Sequence, residues 1–304
     1  MISIIGVGRV GSAVGFLIAS ESLDDLVLIN RNKYKAIGEA LDLTNAVPKG
    51  SSISVTGTDD YELMKDSKVV VITASGGATG ASRTDLLAYN VPLVKEIASK
   101  IKKYGESSKV VVVTNPLDVV TYFALMETGF PRESVIGMGS SLDSSRFRYL
   151  IAKELRTSQK EIEGIVVGEH GDSMVPLFST AKVAGKPILD VISRKQIAEI
   201  TAEVKDYWKY LKKFKEASVF GAAKNTFDIV NAIVRDEKLN ISASVLLDGE
   251  YSLSDVCLGM PVTIKKNGVA KIHEIDLEDS EFQSLHESAR TIQNNITTTQ
   301  EKLS

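Results

Sequence analysis

An apolar run leads directly into a glycine-rich turn in the segment Ile2-Ser3-Ile4-Ile5-Gly6-Val7-Gly8-Arg9-Val10-Gly11. The run predicts a buried strand, and residues 12–20 predict a helix immediately after the turn. In such a unit the first glycine permits the turn, the second lets the backbone approach a pyrophosphate, and the third packs helix on strand. The helix N-terminus then faces the anion. The segment therefore predicts a dinucleotide site, and a glycine-rich turn without a ligand is the alternative.

Further β-branched runs alternate with helical stretches through the first half of the chain. They lie at residues 26–29, 69–74, 110–114 and 135–138. Each run is almost continuously apolar, as is typical of strands that are covered on both faces. Between two of them, residues 84–104 carry apolar side chains at helical spacing, and Gly105 is expected to end that helix. The alternation predicts an α/β fold with a doubly wound parallel sheet of the Rossmann type.

From about residue 143 the pattern changes to long helices and antiparallel strands. Helices are predicted at residues 144–155, 194–215 and 220–237, and an amphipathic helix closes the chain. Strands are predicted at 243–247, 256–264 and 269–275, and the last two are joined by an Asn-Gly turn, a strong hairpin signal. We predict a Rossmann domain over residues 1–142 followed by an α+β catalytic domain over residues 143–304.

Composition excludes several classes of function. The chain has 304 residues, a net charge of −3 and no basic stripe, so nucleic acid is not an expected partner. Cys257 is the single cysteine, which rules out an intrachain disulfide and a cysteine metal cluster and fits a reducing compartment. Met1 precedes a strand directly and no apolar run approaches membrane length, so we expect a cytoplasmic protein without a signal peptide or a membrane span. We also expect no metal.

A histidine follows an apolar run in residues 165–173, Ile-Val-Val-Gly-Glu-His-Gly-Asp-Ser. His170 is one of three histidines, and it alone stands at the end of a β-type run. An imidazole titrates near neutral pH, so this position suits a proton shuttle. The alternative is a histidine that only closes a turn.

The second predicted strand ends at Asn30, where dinucleotide sites usually carry an Asp or Glu for the ribose diol. Arg31 and Lys33 follow. Without the acid, a 2′-phosphate is not repelled, and Arg31 or Lys33 could pair with it. We predict use of NADP, NAD or both, because Asn30 can still hydrogen-bond a hydroxyl. A solvated charged turn is the alternative.

Polar groups also accompany two other predicted elements. Asn115 follows the fourth strand, at the sheet edge where open α/β folds bind ligands. Asp143 and Arg146 are three residues apart and share one face of a predicted helix. An exposed ion pair is the alternative for these two.

Six segments together resemble the malate/lactate dehydrogenase family, and within it most closely the malate dehydrogenases of the lactate-dehydrogenase-like branch. The resemblance covers almost the whole chain. The segments are Gly-Val-Gly-Arg-Val-Gly (6–11), Ser82-Arg83 with Asp85-Leu86-Leu87, Val-Thr-Asn-Pro-Leu-Asp-Val (113–119), Ser-Leu-Asp-Ser-Ser-Arg-Phe-Arg (141–148), Gly-Glu-His-Gly-Asp-Ser-Met-Val-Pro (168–176) and Gly259-Met260-Pro261-Val262. The resemblance implies an NAD(P)-dependent dehydrogenase of malate/oxaloacetate that forms a homodimer or homotetramer.

The resemblance also implies a role for each matching residue. His170 would exchange the proton of the substrate hydroxyl, and Asp143 would orient it and stabilise its imidazolium form. Arg146 would bind the substrate carboxylate as a fork, and Arg83 would polarise the carbonyl. The other implied contacts are Asn115 and Ser218 for the substrate, and Asn90, Val113, Thr114 and Asn115 for the cofactor.

The segment before Arg83 departs from the family. It corresponds to the mobile lid over the substrate, whose tip usually carries Arg in malate enzymes and Gln in lactate enzymes. Here the lid is one residue shorter and Gly77 or Ala78 stands at the selecting position. We retain malate as the expected substrate, with lactate or another 2-hydroxy acid as the alternative.

Two further alternatives belong to other classes of function. An NAD-dependent glycosidase would need a metal held by Cys and His, and Cys257 lies in a different kind of segment from His170. A non-catalytic redox sensor would not need the whole set of Asp143, Arg146, His170 and Arg83.

Overall fold

A computed structural model describes residues 1–76 and 83–303, without the side chains of residues 83 and 84. The predicted lid positions Gly77 and Ala78 therefore lie outside the described residues, and so does the side chain of Arg83. No helix in the described part of the chain is long and apolar enough to cross a membrane.

The described residues form strands of 2 to 12 residues and α-helices of 12 to 25 residues. The strands are β1 (Ile2–Ile5), β2 (Leu26–Ile29), β3 (Val55–Thr58), β4 (Val69–Ile72), β5 (Lys109–Val112), β6 (Val135–Gly137), β7 (Ile162–Glu163), β8 (Val166–Val167), β9 (Val175–Pro176), β10 (Lys182–Val183), β11 (Lys186–Pro187), β12 (Leu239–Asp248), β13 (Ser254–Lys265) and β14 (Gly268–Ile272). The α-helices are α1 (Arg9–Ser20), α2 (Lys33–Thr44), α3 (Arg83–Tyr104), α4 (Leu117–Thr128), α5 (Gly139–Glu154), α6 (Arg194–Leu211), α7 (Phe220–Arg235) and α8 (Asp279–Leu303).

Nine strands form one sheet in the order β14-β13-β12-β6-β5-β4-β1-β2-β3. The six strands β1 to β6 are parallel, so the predicted Rossmann sheet is confirmed. The predicted antiparallel strands are also present, and β12 joins the sheet at β6 through the pair Ser244 and Gly137. The strands of the second half therefore extend the sheet of the first half, which the sequence pattern did not predict.

The described residues form two hydrophobic cores. The larger core lies along the nine-stranded sheet, and β1, β2 and β4 are wholly buried in it. The smaller core joins α5 to α6 and contains Phe147, Phe178 and Val204, with the two phenylalanine rings in a T-shaped contact. Because α5 contributes to both cores, side chains in its first turns lie at the junction between them.

Three of the differences between the structure and the predicted elements have a local explanation. The edge strand β3 was not predicted, because its sequence Val-Thr-Gly-Thr is half polar and only partly buried. Strand β4 ends at Ile72, since the amides of Thr73 and Ala74 both donate to the carbonyl of Ile5 and turn the chain towards β1. Helix α5 begins at Gly139, five residues before the predicted start, so residue 142 lies inside this helix.

Candidate active site

The turn after β1 has the geometry that a dinucleotide pyrophosphate needs. Gly6 has a φ of +99°, and a Cβ there would lie 2.5 Å from the Cα of Ala74. Gly11 packs against the end of β4, where a Cβ would lie 2.7 Å from the Oγ1 of Thr73. Gly8, by contrast, is exposed at the N-terminus of α1, and no atom of the described residues lies within 4 Å of where its Cβ would be. The loop therefore leaves open space in front of the helix N-terminus, as an approaching phosphate requires.

Side-chain hydrogen bonds hold together the loops that follow β1, β4 and β5. The Oγ1 of Thr73 donates to the carbonyl of Gly6 at 2.5 Å, and the Oγ1 of Thr114 donates to the carbonyl of Ala74 at 2.7 Å. Val7 and Val113 are buried beside them. These loops lie at the carboxyl edge of the parallel strands, where open α/β sheets bind their ligands.

Asn90 links two of these loops from inside the protein. It is wholly buried on α3; its Oδ1 accepts from the amide of Gly76 at 2.7 Å and its Nδ2 donates to the carbonyl of Asn115 at 2.6 Å. The side chain of Asn115 is exposed, and the peptide bond that follows it, to Pro116, is cis. Asn90 therefore positions the loop that presents Asn115.

The turn after β2 carries two solvent-exposed cationic side chains, Arg31 and Lys33. The Nδ2 of half-buried Asn30 donates to the carbonyl of Asn32, and the Oδ1 of Asn32 caps α2 by accepting from the amide of Lys35. The Nζ of Lys33 lies 3.4 Å from the Oδ1 of Asp59, and the Lys33 side chain is 55% exposed. Arg31 is exposed as well. An incoming phosphate would therefore compete with Asp59 for Lys33, while Arg31 faces solvent.

Asp143, Arg146 and His170 form one buried array. The Nδ1 of His170 lies 2.6 Å from the Oδ2 of Asp143, and the Nη1 of Arg146 donates to its Oδ1 at 3.2 Å. The side chains of Asp143 and Arg146 are 0% and 9% exposed, so the alternative of an exposed ion pair is wrong. Because a carboxylate can only accept, Nδ1 carries the hydrogen and Nε2 is the nitrogen that can exchange a proton.

The surroundings of His170 raise its pKa above the ordinary value of 6.5. Burial disfavours the imidazolium and lowers the pKa, but the Asp143 carboxylate raises it through its charge and its hydrogen bond. The charge of Arg146 lowers the pKa and that of Asp118 raises it. Two carboxylates thus outweigh burial and one guanidinium, and the imidazolium form is stabilised.

Two residues that place His170 were not predicted from the sequence. The Oδ2 of Asp118, in the first turn of α4, accepts from the backbone amide of His170 at 2.7 Å. Gly139, the first residue of α5, leaves room for the imidazole, since a Cβ there would lie 2.5 Å from its Cγ. Asp118 stands three residues after Asn115 in the segment 113–119 that resembles the family, and its place in that segment was the signal that could have found it.

The segment from β8 to His170 is tied to β13 and α8. Gly168 and Gly259 exchange two backbone hydrogen bonds of 2.9 Å each. The amide of buried Glu169 donates to the Oγ of Ser288 at 2.7 Å, and the carboxylate of Glu169 accepts from the amide of Ser173. His170 is therefore carried by a segment that is hydrogen-bonded on both sides.

The connection between α6 and α7 approaches the start of α1, next to the glycine-rich turn after β1. Glu216 in this connection pairs with Arg9 at 2.5 Å, and both side chains are exposed. Ser218, the other predicted residue here, is half-buried two residues before α7. Arg83 begins α3, the helix that also carries Asn90.

No three His, Cys, Asp or Glu side chains within residues 1–76 and 83–303 are grouped so that they could hold a metal ion. Cys257, whose burial raises the pKa of its thiol, lies wholly inside β13.

Comparison with protein families identifies the chain. Residues 1–137 match the lactate/malate dehydrogenase NAD-binding domain, and residues 140–303 match the alpha/beta C-terminal domain of the same family. The chain belongs to the lactate/malate dehydrogenase family.

The relatives of this chain include malate dehydrogenases and lactate dehydrogenases. It is 37% identical to a malate dehydrogenase of Staphylococcus carnosus, with 96% of each chain covered. The solved malate dehydrogenase of Aeropyrum pernix superimposes with a TM-score of 0.92 at 35% identity, covering 98% of each chain. The lactate dehydrogenase of Cryptosporidium parvum, solved with lactic acid and the nicotinamide cofactor, has a TM-score of 0.94 at 32% identity, covering 98% of this chain and 97% of that one. The backbone is therefore common to both activities and does not distinguish them.

Proposed function

We propose that this chain is a malate dehydrogenase that interconverts malate and oxaloacetate with NAD or NADP. The observation that carries the proposal is the buried array of Asp143, Arg146 and His170, which a hydrogen bond from the His170 amide to Asp118 ties to the first turn of α4. The bound nicotinamide would accept or deliver the hydride, and every other step falls to the residues of this chain.

His170 is the proposed acid and base of the reaction. When malate is oxidised, the O–H bond of its C2 hydroxyl breaks, the proton moves to Nε2 of His170, and the C2–H leaves as hydride while the C=O bond forms. In the reverse direction the imidazolium returns the proton to the oxygen. Asp143 stabilises the imidazolium in both directions, since its charge and its hydrogen bond raise the pKa of His170.

Arg146 is the proposed ligand of the substrate's C1 carboxylate. A guanidinium has five N–H donors in a plane, and the contact with Asp143 uses only one of its nitrogens. The fork geometry suits a bidentate contact with a carboxylate. Asn115 and Ser218 are proposed to line the substrate, and Arg83 to polarise its carbonyl.

The cofactor is proposed to lie across the turn after β1, in the open space in front of Gly8. The matched NAD-binding domain supports NAD. NADP is proposed as well, because Asn30 brings no negative charge to the ribose and exposed Arg31 and Lys33 lie close by. The further contacts proposed for the dinucleotide are Gly6, Val7, Arg9, Val10, Gly11, Asn90, Val113, Thr114 and Asn115.

The choice of malate rests on the named relatives. Six curated relatives at 36–39% identity are malate dehydrogenases. Lactate, or another 2-hydroxy acid, stays the second candidate. The selecting position is Gly77 or Ala78 rather than the arginine that would pair with a second carboxylate, and lactate dehydrogenases are among the structural neighbours. The matched C-terminal domain disfavours a glycosidase, and so does the buried neutral thiol of Cys257, which is a poor metal ligand.

The organisation of the protein completes the proposal. Residues 1–142 would bind the dinucleotide and residues 143–304 the substrate. The chain is proposed to form a homodimer or homotetramer, which light scattering of the purified protein would test.

A grid of substrates and cofactors tests the activity. Oxaloacetate, pyruvate and other 2-oxo acids are each assayed with NADH and with NADPH, and cofactor oxidation is followed by absorbance. We expect the highest kcat/KM with oxaloacetate. A higher kcat/KM with pyruvate would favour the second candidate, and no oxidation with any 2-oxo acid would contradict the proposed function.

A further inference from the structure

Tyr207 contacts Arg146, the residue proposed to bind the substrate carboxylate. It lies in the last turns of α6, and the Cζ of Arg146 is 5.1 Å from the centroid of its ring. The contact is half-buried on the tyrosine side and almost wholly buried on the arginine side. A cation–aromatic contact is stronger when the cation has lost its water, so this one should be stronger than a surface contact.

The position of the ring is held by its neighbours. Tyr207 makes a T-shaped contact with Tyr149 of α5, with ring centroids 6.3 Å apart and planes at 88°. Three residues earlier on α6, Val204 is wholly buried in the smaller core. The helix begins with a capping box between Ser193 and Gln196, which fixes its first turn. Tyr207 therefore comes from a helix that is anchored at its start and packed on α5.

Arg146 is constrained by two different groups. Asp143 accepts a hydrogen bond from its Nη1, and Tyr207 lies against the guanidinium. A hydrogen bond alone leaves the group free to rotate about the N–O direction, and contact with a ring removes that freedom. Bidentate binding of a carboxylate depends on orientation, and misplacement by about 1 Å can cost about 10²-fold in rate.

We propose that Tyr207 is a positioning residue that orients Arg146 for the carboxylate of the substrate. The inference rests on the proposed role of Arg146 in binding that carboxylate. The aromatic ring carries the effect, since it is the ring that lies within cation–aromatic distance of the guanidinium.

The variants Tyr207→Leu and Tyr207→Phe test the inference as a matched pair. Leucine keeps an apolar side chain but removes the ring, whereas phenylalanine keeps the ring and removes only the hydroxyl. We expect Tyr207→Leu to raise KM for the 2-oxo acid about three- to tenfold, equivalent to about 0.7–1.4 kcal/mol, the range of a partly desolvated cation–aromatic contact. The KM for NADH should not change, and Tyr207→Phe should behave like the wild type.

A double-mutant cycle with Arg146→Lys shows whether Tyr207 acts through Arg146. We expect Tyr207→Leu to raise KM less in the Arg146→Lys background than in the wild type, because the oriented fork is already lost. Equal effects in both backgrounds would contradict the inference. So would an unchanged KM in Tyr207→Leu, or the same rise in Tyr207→Phe and Tyr207→Leu.

A purely structural role predicts a different result. In that case Tyr207→Leu would lower the melting temperature and raise KM for NADH together with KM for the 2-oxo acid, and the inference would be wrong. Failure of the proposed function is distinguishable, because it would appear in the wild type as absence of turnover with every 2-oxo acid.

Discussion

The turn after β2 and the array around His170 contain the same kind of ion pair in different surroundings. The Nζ of Lys33 lies 3.4 Å from Asp59, and the Nη1 of Arg146 lies 3.2 Å from Asp143. The first pair is about half exposed, whereas the second is almost wholly buried. Exposed pairs contribute about 0–1 kcal/mol, but removing one partner of a buried pair costs about 3–5 kcal/mol. Substitutions around His170 should therefore change kcat and KM more than substitutions around Asn30 change the preference between cofactors.

The largest effect is expected for His170→Asn. Loss of the imidazole removes the proton donor and acceptor, which should lower kcat by about 10²–10⁴-fold. Binding of NADH, measured by fluorescence titration, should persist because the glycine loop belongs to β1 and α1. His273→Asn is the control: His273 lies just after β14 and hydrogen-bonds Thr263 of β13, so its loss should leave kcat unchanged. A variant that keeps more than about a tenth of kcat would refute the role of His170.

Arg146→Lys should raise KM for the 2-oxo acid about 10- to 150-fold. An ammonium cannot reproduce a two-pronged contact, and a charge-assisted hydrogen bond contributes about 1.5–3 kcal/mol. Steady-state kinetics with oxaloacetate measure the change. Arg148→Lys is the matched control on the same helix, because Arg148 donates to the carbonyl of Gly164 and to Ser145. Similar values of KM in the two variants would mean that Arg146 does not bind the carboxylate.

The preference between NADH and NADPH tests the exposed turn after β2. We expect NADPH to support turnover with a kcat/KM within about tenfold of NADH or better, and Asn30→Asp to shift the preference towards NADH by at least about tenfold, or about 1.4 kcal/mol. Asn45→Asp, at the other end of α2, adds the same charge at a distance and should leave the ratio unchanged. High salt should weaken NADPH binding more than NADH binding, because the turn is exposed. A wild-type protein that does not use NADPH would show that residues 30–33 form only a solvated turn.

The smallest effect is expected for the pH dependence. Reduction of the 2-oxo acid needs protonated His170, so kcat/KM should be maximal below the pKa of His170 and fall as pH rises through it. That pKa lies above 6.5 because Asp143 and Asp118 outweigh burial and Arg146. Asp118→Asn keeps an oxygen that can accept from the His170 amide but removes the charge, so the fall should move to lower pH. An unmoved pH profile would show that Asp118 does not act on His170 through its charge.

The order and type of most elements could be predicted from local sequence. The run Ile2–Ile5 and the glycines after it specify a strand, a turn and a helix within some twenty residues, and the structure confirms each. Edge strand β3 was missed because its partial burial leaves no continuous apolar run. The early start of α5 was missed because Gly139 and the serines after it are weak helix formers that packing holds in the helix.

The residue types of the candidate site were apparent in the sequence, but their environment was not. The spacing of Asp143 and Arg146 predicts a shared helix face and is compatible with exposure or burial. This face is buried because α5 packs into both cores, and that packing removes it from water. The same packing brought Tyr207 to Arg146, although 61 positions separate them in the numbering of the chain.

The sequence by itself determined the glycine turn, the alternation of strands and helices, and the family, because propensity, periodicity and motifs act over short stretches of chain. Only the tertiary structure decided that Asp118 holds the amide of His170, that Gly139 makes room for its imidazole, and that the strands of the second half extend the sheet of the first. These contacts join residues far apart in the chain. Their formation depends on how the cores close around them, and no local pattern encodes that closure.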